Sequence, residues 1–165
     1  PVKQEIGSFS KGMKVKMNFA IALAHHAELL LLDEATSGLD PVMRDDVLDL
    51  LLDFVQSEKH GVLFSTHIMS DLSKIADYIA FLHEGKLLFF KSKDELIYRY
   101  GLIHCGEKLF REIDHDDILA WRKQDYEYQI LVADREAAAR KYKGCVIDPA
   151  TLDSIMLLNI RGKKV

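Results

Sequence analysis

Cysteine, clustered positive charge and unbroken apolar sequence are all scarce in this chain. Its two cysteines, Cys105 and Cys145, lie far apart and form no metal-binding pattern. They read as reduced thiols of a reducing compartment. Net charge is -4 with no dense basic tract, so the sequence offers no footprint for nucleic acid. The longest apolar region, Phe19 to Leu32, is broken by His25, His26 and Glu28 and cannot span a bilayer. What remains, 165 residues of which 48% are hydrophobic, suffices for one core and a small appendage.

The most informative stretch is Leu29 to Pro41. Four leucines read as a short strand buried on both faces, as in the middle of a parallel sheet. The strand runs into Asp33 and Glu34, and then into a Ser-Gly turn closed by Asp40 and Pro41. Ligands of open α/β sheets bind outside the carboxyl ends of strands, where this acidic pair falls. A carboxylate there can hold Mg²⁺ through water, and its neighbour can orient or deprotonate an attacking water. A solvated acidic turn after a core strand is the alternative on these residues alone.

Upstream, Ser10 precedes Met13, Met17, Ala20, Ile21 and Ala24 at helical spacing and is a candidate N-cap. It leaves the amides of Lys11, Gly12 and Met13 at a positive helix end, where Gly12 lets an anion approach. Alone, this is an ordinary capped amphipathic helix. Downstream, Pro41 starts a helix with apolar face Val47, Leu48, Leu51, Leu52 and Val55. A second apolar strand, Val62 to Ser65, leads to His67. A short helix over Ser70 to Ile75 and a hairpin of Tyr78 to Leu82 with Lys86 to Phe90, turned at Glu84-Gly85, follow. Ser92 with Glu95 reads as a capping box and Gly101 as a C-cap.

Taken in order, these pieces resemble the ATP-binding subunit of ABC transporters. Phe9 to Met13 resembles the signature motif, Leu29 to Glu34 the Walker B strand, Ser37 to Asp40 the D-loop, and His67 the switch histidine. The resemblance covers residues 8 to about 100. It implies an α/β fold: a partial P-loop ATPase core with a mostly parallel sheet and a β-hairpin over 1–101. A small α+β accessory domain is expected over 102–165. There, Tyr126 to Val132 and Val146-Ile147 read as strands and Arg135 to Lys141 as a helix. A closing helix, Leu152 to Ile160, is expected to be capped by Asp148 and Pro149. His115, Asp116 and Asp117 read as solvated capping, and Trp121 as packing.

The family's Walker A loop, G-x-x-x-x-G-K-[ST], does not occur in these residues. Gly7 to Gly12 has the glycine spacing, but Met13 stands in the lysine's place. Gly101 to Gly106 also has it, but Glu107 and Lys108 follow. The chain is therefore expected to be the later part of a longer polypeptide, and not to hydrolyse ATP alone. The family's sheet has a strand between the one ending at His67 and the one at Tyr78, so a gap or unpaired edge is expected there.

The roles implied by the resemblance involve two copies of the domain. Ser10, Lys11 and Gly12 would meet the phosphates of ATP bound to a second ATP-binding subunit. Asp33 would hold Mg²⁺, Glu34 would act on the attacking water, His67 would contact the γ-phosphate, and Asp40 would link the two sites. A membrane permease is the implied second partner and the inner face of the cell membrane the implied location, with no nucleic acid. Lys11, Met13 and Ala35 depart from the common glycine, glutamine and proline, and this signature resembles that of exporters with separate ATPase and permease chains. A non-transport ABC-type ATPase and a regulatory domain without catalysis are the competing readings.

Overall fold

The computed structural model describes residues 4–164. The chain packs as two compact units, Pro1–Ile75 and Ala76–Val165. This packing division falls before the hairpin, whereas the sequence division at 101/102 follows the end of the family motifs.

The first unit is built on a β-α-β crossover. Helix α1 (Lys11–Ala24) leads to strand β1 (Leu29–Asp33), helix α2 (Pro41–Phe54), strand β2 (Gly61–Ser65) and helix α3 (Met69–Ile75). β1 and β2 pair in parallel, from Leu29 opposite Gly61 to Asp33 opposite Ser65. Parallel neighbours cannot be joined by a tight turn, and α2 supplies the crossover. Phe19, Leu30, Leu39, Val47 and Leu51 form the core, with Met43, Phe54 and Val62 packed against it. Because β1 alternates sides, Leu30 is buried but Leu29 and Leu31 are 58% and 68% exposed. The expectation of a strand buried on both faces is thus wrong for this chain. Only the face carrying Leu30 is packed, and Leu63 on β2 is likewise exposed among the described residues.

In the second unit, β3 (Tyr78–His83) and β4 (Lys86–Ser92) form the expected hairpin. Glu84 and Gly85 both have positive φ, which matches the twist of the flanking strands. Within the units, β2 pairs with β1 and β3 with β4. The expected capped helix after β4 is instead a five-residue π-helical segment, Glu95–Arg99. Ser92 Oγ does accept from Glu95 N–H, at 3.1 Å. The Glu95 carboxylate pairs with Lys91 instead of returning to Ser92, so the box is only half made.

Gly101 is not a C-cap. It opens a strand the sequence reading missed, β5 (Gly101–Cys105), where a Cβ would lie 3.1 Å from the Arg135 backbone. After α4 (Glu107–Phe110) come β6 (Ala120–Gln124), also unforeseen, β7 (Glu127–Val132), α5 (Arg135–Lys141), β8 (Val146–Pro149) and α6 (Leu152–Arg161). The antiparallel sheet runs β6-β7-β5-β8. Ile103, Cys105, Tyr128, Ile130 and Val132 bury one face, and Phe110, Trp121 and Tyr128 pack ring on ring beside it. Asp148 and Pro149 belong to β8 and do not cap α6. Thr151 does, through a reciprocal pair of bonds with Ser154.

Candidate functional site at the ends of β1 and β2

The parallel register brings Asp33 and Ser65 side by side at the carboxyl ends of their strands. Ser65 Oγ donates to Asp33 Oδ1 at 2.5 Å. One residue on, the chain turns sharply, and Glu34 adopts φ 50°, a left-handed conformation that a non-glycine residue seldom occupies. Two acceptors on β2 hold it there. Glu34 N–H donates to Ser65 O at 3.0 Å and approaches Ser65 Oγ at 3.3 Å. Such backbone costs on the order of 1–3 kcal/mol and persists where the surroundings over-determine it, which is common at functional sites.

The turn aims Glu34 toward the loop after β2. Glu34 Oε2 lies 2.7 Å from His67 Nδ1. That oxygen is buried and takes part in no well-aligned hydrogen bond, although the His67 side chain is 71% exposed. A carboxylate oxygen withdrawn from water but without a proper donor is poised for a further partner. Asp33, Glu34, Ser65 and His67 therefore form one cluster, made of two residues from each strand end.

The other expected residues stand in local roles. Ser10 Oγ caps α1 by accepting from Met13 N–H at 3.2 Å, as the sequence predicts. Lys11 Nζ donates to Ser37 O at 2.7 Å and crowds the place a Cβ would take at Gly38, whose φ is 67°. This bond ties the start of α1 to the Ser37–Asp40 turn. Gly12 is filled from the protein side, since a Cβ there would lie 2.8 Å from Met43 Cε. Asp40 Oδ1 accepts from Met43 N–H at 3.0 Å and caps α2, with Pro41 in the first turn. Among the described residues no hydrogen bond or ion pair joins Ser10, Gly12 or Asp40 to the Asp33–Glu34–His67 cluster.

One pair in this region escaped the sequence reading. Thr36 Oγ1 donates to Asp71 Oδ2 at 2.6 Å, and both residues are buried. The bond ties the turn that follows Glu34 to the helix that follows His67. Its signal in the sequence is weak: Thr36 sits inside a polar turn, and Asp71 reads as a first-turn acid suited to the helix dipole.

The donor set suits a hard cation. Asp33 offers a carboxylate with a hydroxyl alongside, the oxygen chemistry Mg²⁺ takes, usually with several waters retained. No group of three or more His, Cys, Asp or Glu able to hold a metal occurs among the described residues.

A parallel β-α-β unit with an acidic pair and a histidine at its strand ends defines the class as α/β with the site at the carboxyl edge. Comparison with known proteins narrows it. Residues 1–37 match the family described as ABC transporter. The chain is 40% identical over 86 residues to the bacitracin transport ATP-binding protein BcrA of Bacillus licheniformis, a match spanning 52% of this chain and 28% of that protein. It is also 40% identical over 94 residues to the lantibiotic transport ATP-binding protein SrtF of Streptococcus pyogenes, spanning 57% and 39%. A solved ABC transporter of metal-chelate type, in an inward-facing conformation, superposes with a TM-score of 0.53 at 27% identity. That superposition covers 79% of this chain and 50% of the solved one. The resemblance to ABC transporter ATP-binding subunits is thus shown, with the chain spanning well under half the length of these curated relatives. No helix among the described residues is long and apolar enough to cross a membrane.

Proposed function

We propose that the whole protein is an ATP-binding, ATP-hydrolysing subunit that powers export through a separate membrane permease from the cytoplasmic face of the membrane. The observation that carries this reading is the 2.7 Å approach of Glu34 Oε2 to His67 Nδ1 beside Asp33. The relatives named for bacitracin and lantibiotic transport support it, as does one named for fluoroquinolone export, 36% identical over 91 residues. Residues 1–101 form the later part of a P-loop ATPase domain, and 102–165 an accessory domain.

The roles follow from chemistry and position. Asp33, with Ser65 beside it, would hold Mg²⁺, which when bound neutralises charge developing on the phosphates. Glu34, the carboxylate that follows Asp33 and whose Oε2 lacks an aligned donor, accepts the proton of the attacking water. His67, 2.7 Å from Glu34 Oε2, meets the γ-phosphate with its exposed ring. Ser10, Lys11 and Gly12 start a 14-residue helix whose positive end suits the phosphates of ATP held by a second ATP-binding subunit. Asp40 positions the D-loop between the two sites by capping α2.

Phosphate release from ATP–Mg²⁺ tests the reading. The whole protein is expected to turn over and to stop when the divalent cation is chelated. The 165-residue chain by itself, which carries no G-x-x-x-x-G-K-[ST] loop, is expected to release none. A whole protein that binds ATP–Mg²⁺ and releases no phosphate would instead favour a regulatory domain without catalysis.

A further inference from the structure

Cys105 and Cys145 are forty positions apart in the sequence but neighbours in the second unit. Strands β5 and β8 pair antiparallel, with Ile103 opposite Ile147 and His104 opposite Val146. Continuing that register by one residue sets Cys105 opposite Cys145. Directly opposed residues of antiparallel strands project to the same face, and both side chains pack in the same apolar cluster. The two thiols lie near enough to influence one another's ionisation. Cys145 N–H donates to Tyr142 O at 3.1 Å, leaving no bond from that amide to Cys105. Ala150 N–H donates to Tyr100 O at 3.1 Å, so along this register hydrogen-bonded positions fall at 100/150, 102/148 and 104/146. Cys105 and Cys145 take the alternate position, where Cα atoms of a ladder stand about 4.5 Å apart, inside the range a disulfide spans.

We propose that Cys105 and Cys145 form a reversible intrachain disulfide that staples the edge strand β8 to β5. The partner in the exchange is a low-molecular-weight disulfide. Cys145, half-buried where Cys105 is buried, is the thiol that reaches solvent. Its thiolate attacks one sulfur of the small disulfide, whose S–S bond breaks; the first small thiolate leaves and takes up a proton. Cys105 then loses its proton and attacks Cys145 Sγ. The intrachain S–S bond forms as the second small thiolate leaves and is protonated. Two protein thiols lose two electrons in all, and one small disulfide becomes two thiols. Burial pushes the Cys105 thiol up to about 11 and raises that of Cys145 as well, so both rest as protonated thiols at neutral pH. Exchange is accordingly slow until the disulfide pool rises, because the thiolate is the nucleophile. The closed bond encloses β6, β7 and α5 in one covalent loop and fixes the strand that leads into α6.

Equilibration of the 165-residue chain with mixtures of reduced and oxidised glutathione tests this, in native buffer and again in guanidinium chloride. Thiol titration and peptide mapping read the outcome. The native chain is expected to pass from two free thiols to none, with Cys105 joined to Cys145. Its oxidation constant should exceed that of the unfolded chain by about 10²-fold, the factor by which a well-fitted disulfide favours the native state. In Cys105→Ala, glutathione should remain attached at Cys145, having no second thiol to displace it. A native-to-unfolded ratio of about tenfold or less would overturn the proposal. So would a wild-type chain that keeps both thiols, or one that carries a lasting mixed disulfide.

Discussion

Asp71 ties the turn that follows Glu34 to α3 through a buried hydrogen bond. It is 1% exposed, its Oδ2 receives the hydroxyl of the fully buried Thr36, and its Oδ1 has no hydrogen-bond partner. Replacing one partner of a buried hydrogen bond leaves the other desolvated and unpaired, at a cost of about 1–3 kcal/mol. Asp71→Ala is therefore expected to lower the unfolding free energy of the chain by that amount in urea titration. An unchanged midpoint would contradict the role given to the pair. The acidic pair Asp33 and Glu34 drew attention because it ends an aliphatic strand, whereas His67 was singled out only by its place in the series of family motifs. Thr36 and Asp71 were not legible, because their burial is decided by residues 35 positions apart coming together. The nearness of Cys105 and Cys145 was not legible for a similar reason. Their proximity exists only once β5 is recognised, and five residues opening on glycine give little sign of a strand.

At the scale of elements, local chemistry was readable where a turn demands particular residues. Glu84-Gly85 gave the hairpin, and Asp40-Pro41 gave the start of α2, because positive φ and a missing N–H restrict what fits. It misled where two caps compete. Asp148-Pro149 looks like a helix start, but Asp148 pairs in register with Leu102, and the cap stands three residues later at Thr151. Removing the real cap should cost about 1 kcal/mol, so Thr151→Ala is expected to destabilise the chain by that amount. Asp148→Ala should stay within about 0.5 kcal/mol, because the Asp148 carboxylate is exposed and stands 3.8 Å from His104 Nε2, beyond hydrogen-bond distance. Guanidinium unfolding of both variants separates the assignments, and the reverse ranking would restore Asp148 as the cap. The π-helical segment at Glu95–Arg99 had no such signal, since its sequence suits an α-helix equally well.

For the molecule as a whole, the exposed side of the first sheet sets the behaviour of the isolated chain. Leu29, Leu31 and Leu63 stand open on it, while β2 pairs with β1 alone among the described residues. An apolar sheet face beside an unpaired strand edge recruits other chains. The 165-residue polypeptide is expected to self-associate in light scattering, increasingly with concentration, and a chain that stays monomeric throughout would contradict this. The proposed function rests on Glu34, whose left-handed backbone and unaligned buried oxygen set it apart from its acidic neighbour Asp33. The most direct test is ATP turnover by the whole protein carrying Glu34→Gln, with ATP binding measured on the same preparation. The amide keeps the shape of the side chain but cannot accept the proton. Turnover should therefore fall by about 10²–10⁴-fold while ATP binding is retained. A variant that binds and hydrolyses ATP at the unmodified rate would show that Glu34 is not the base.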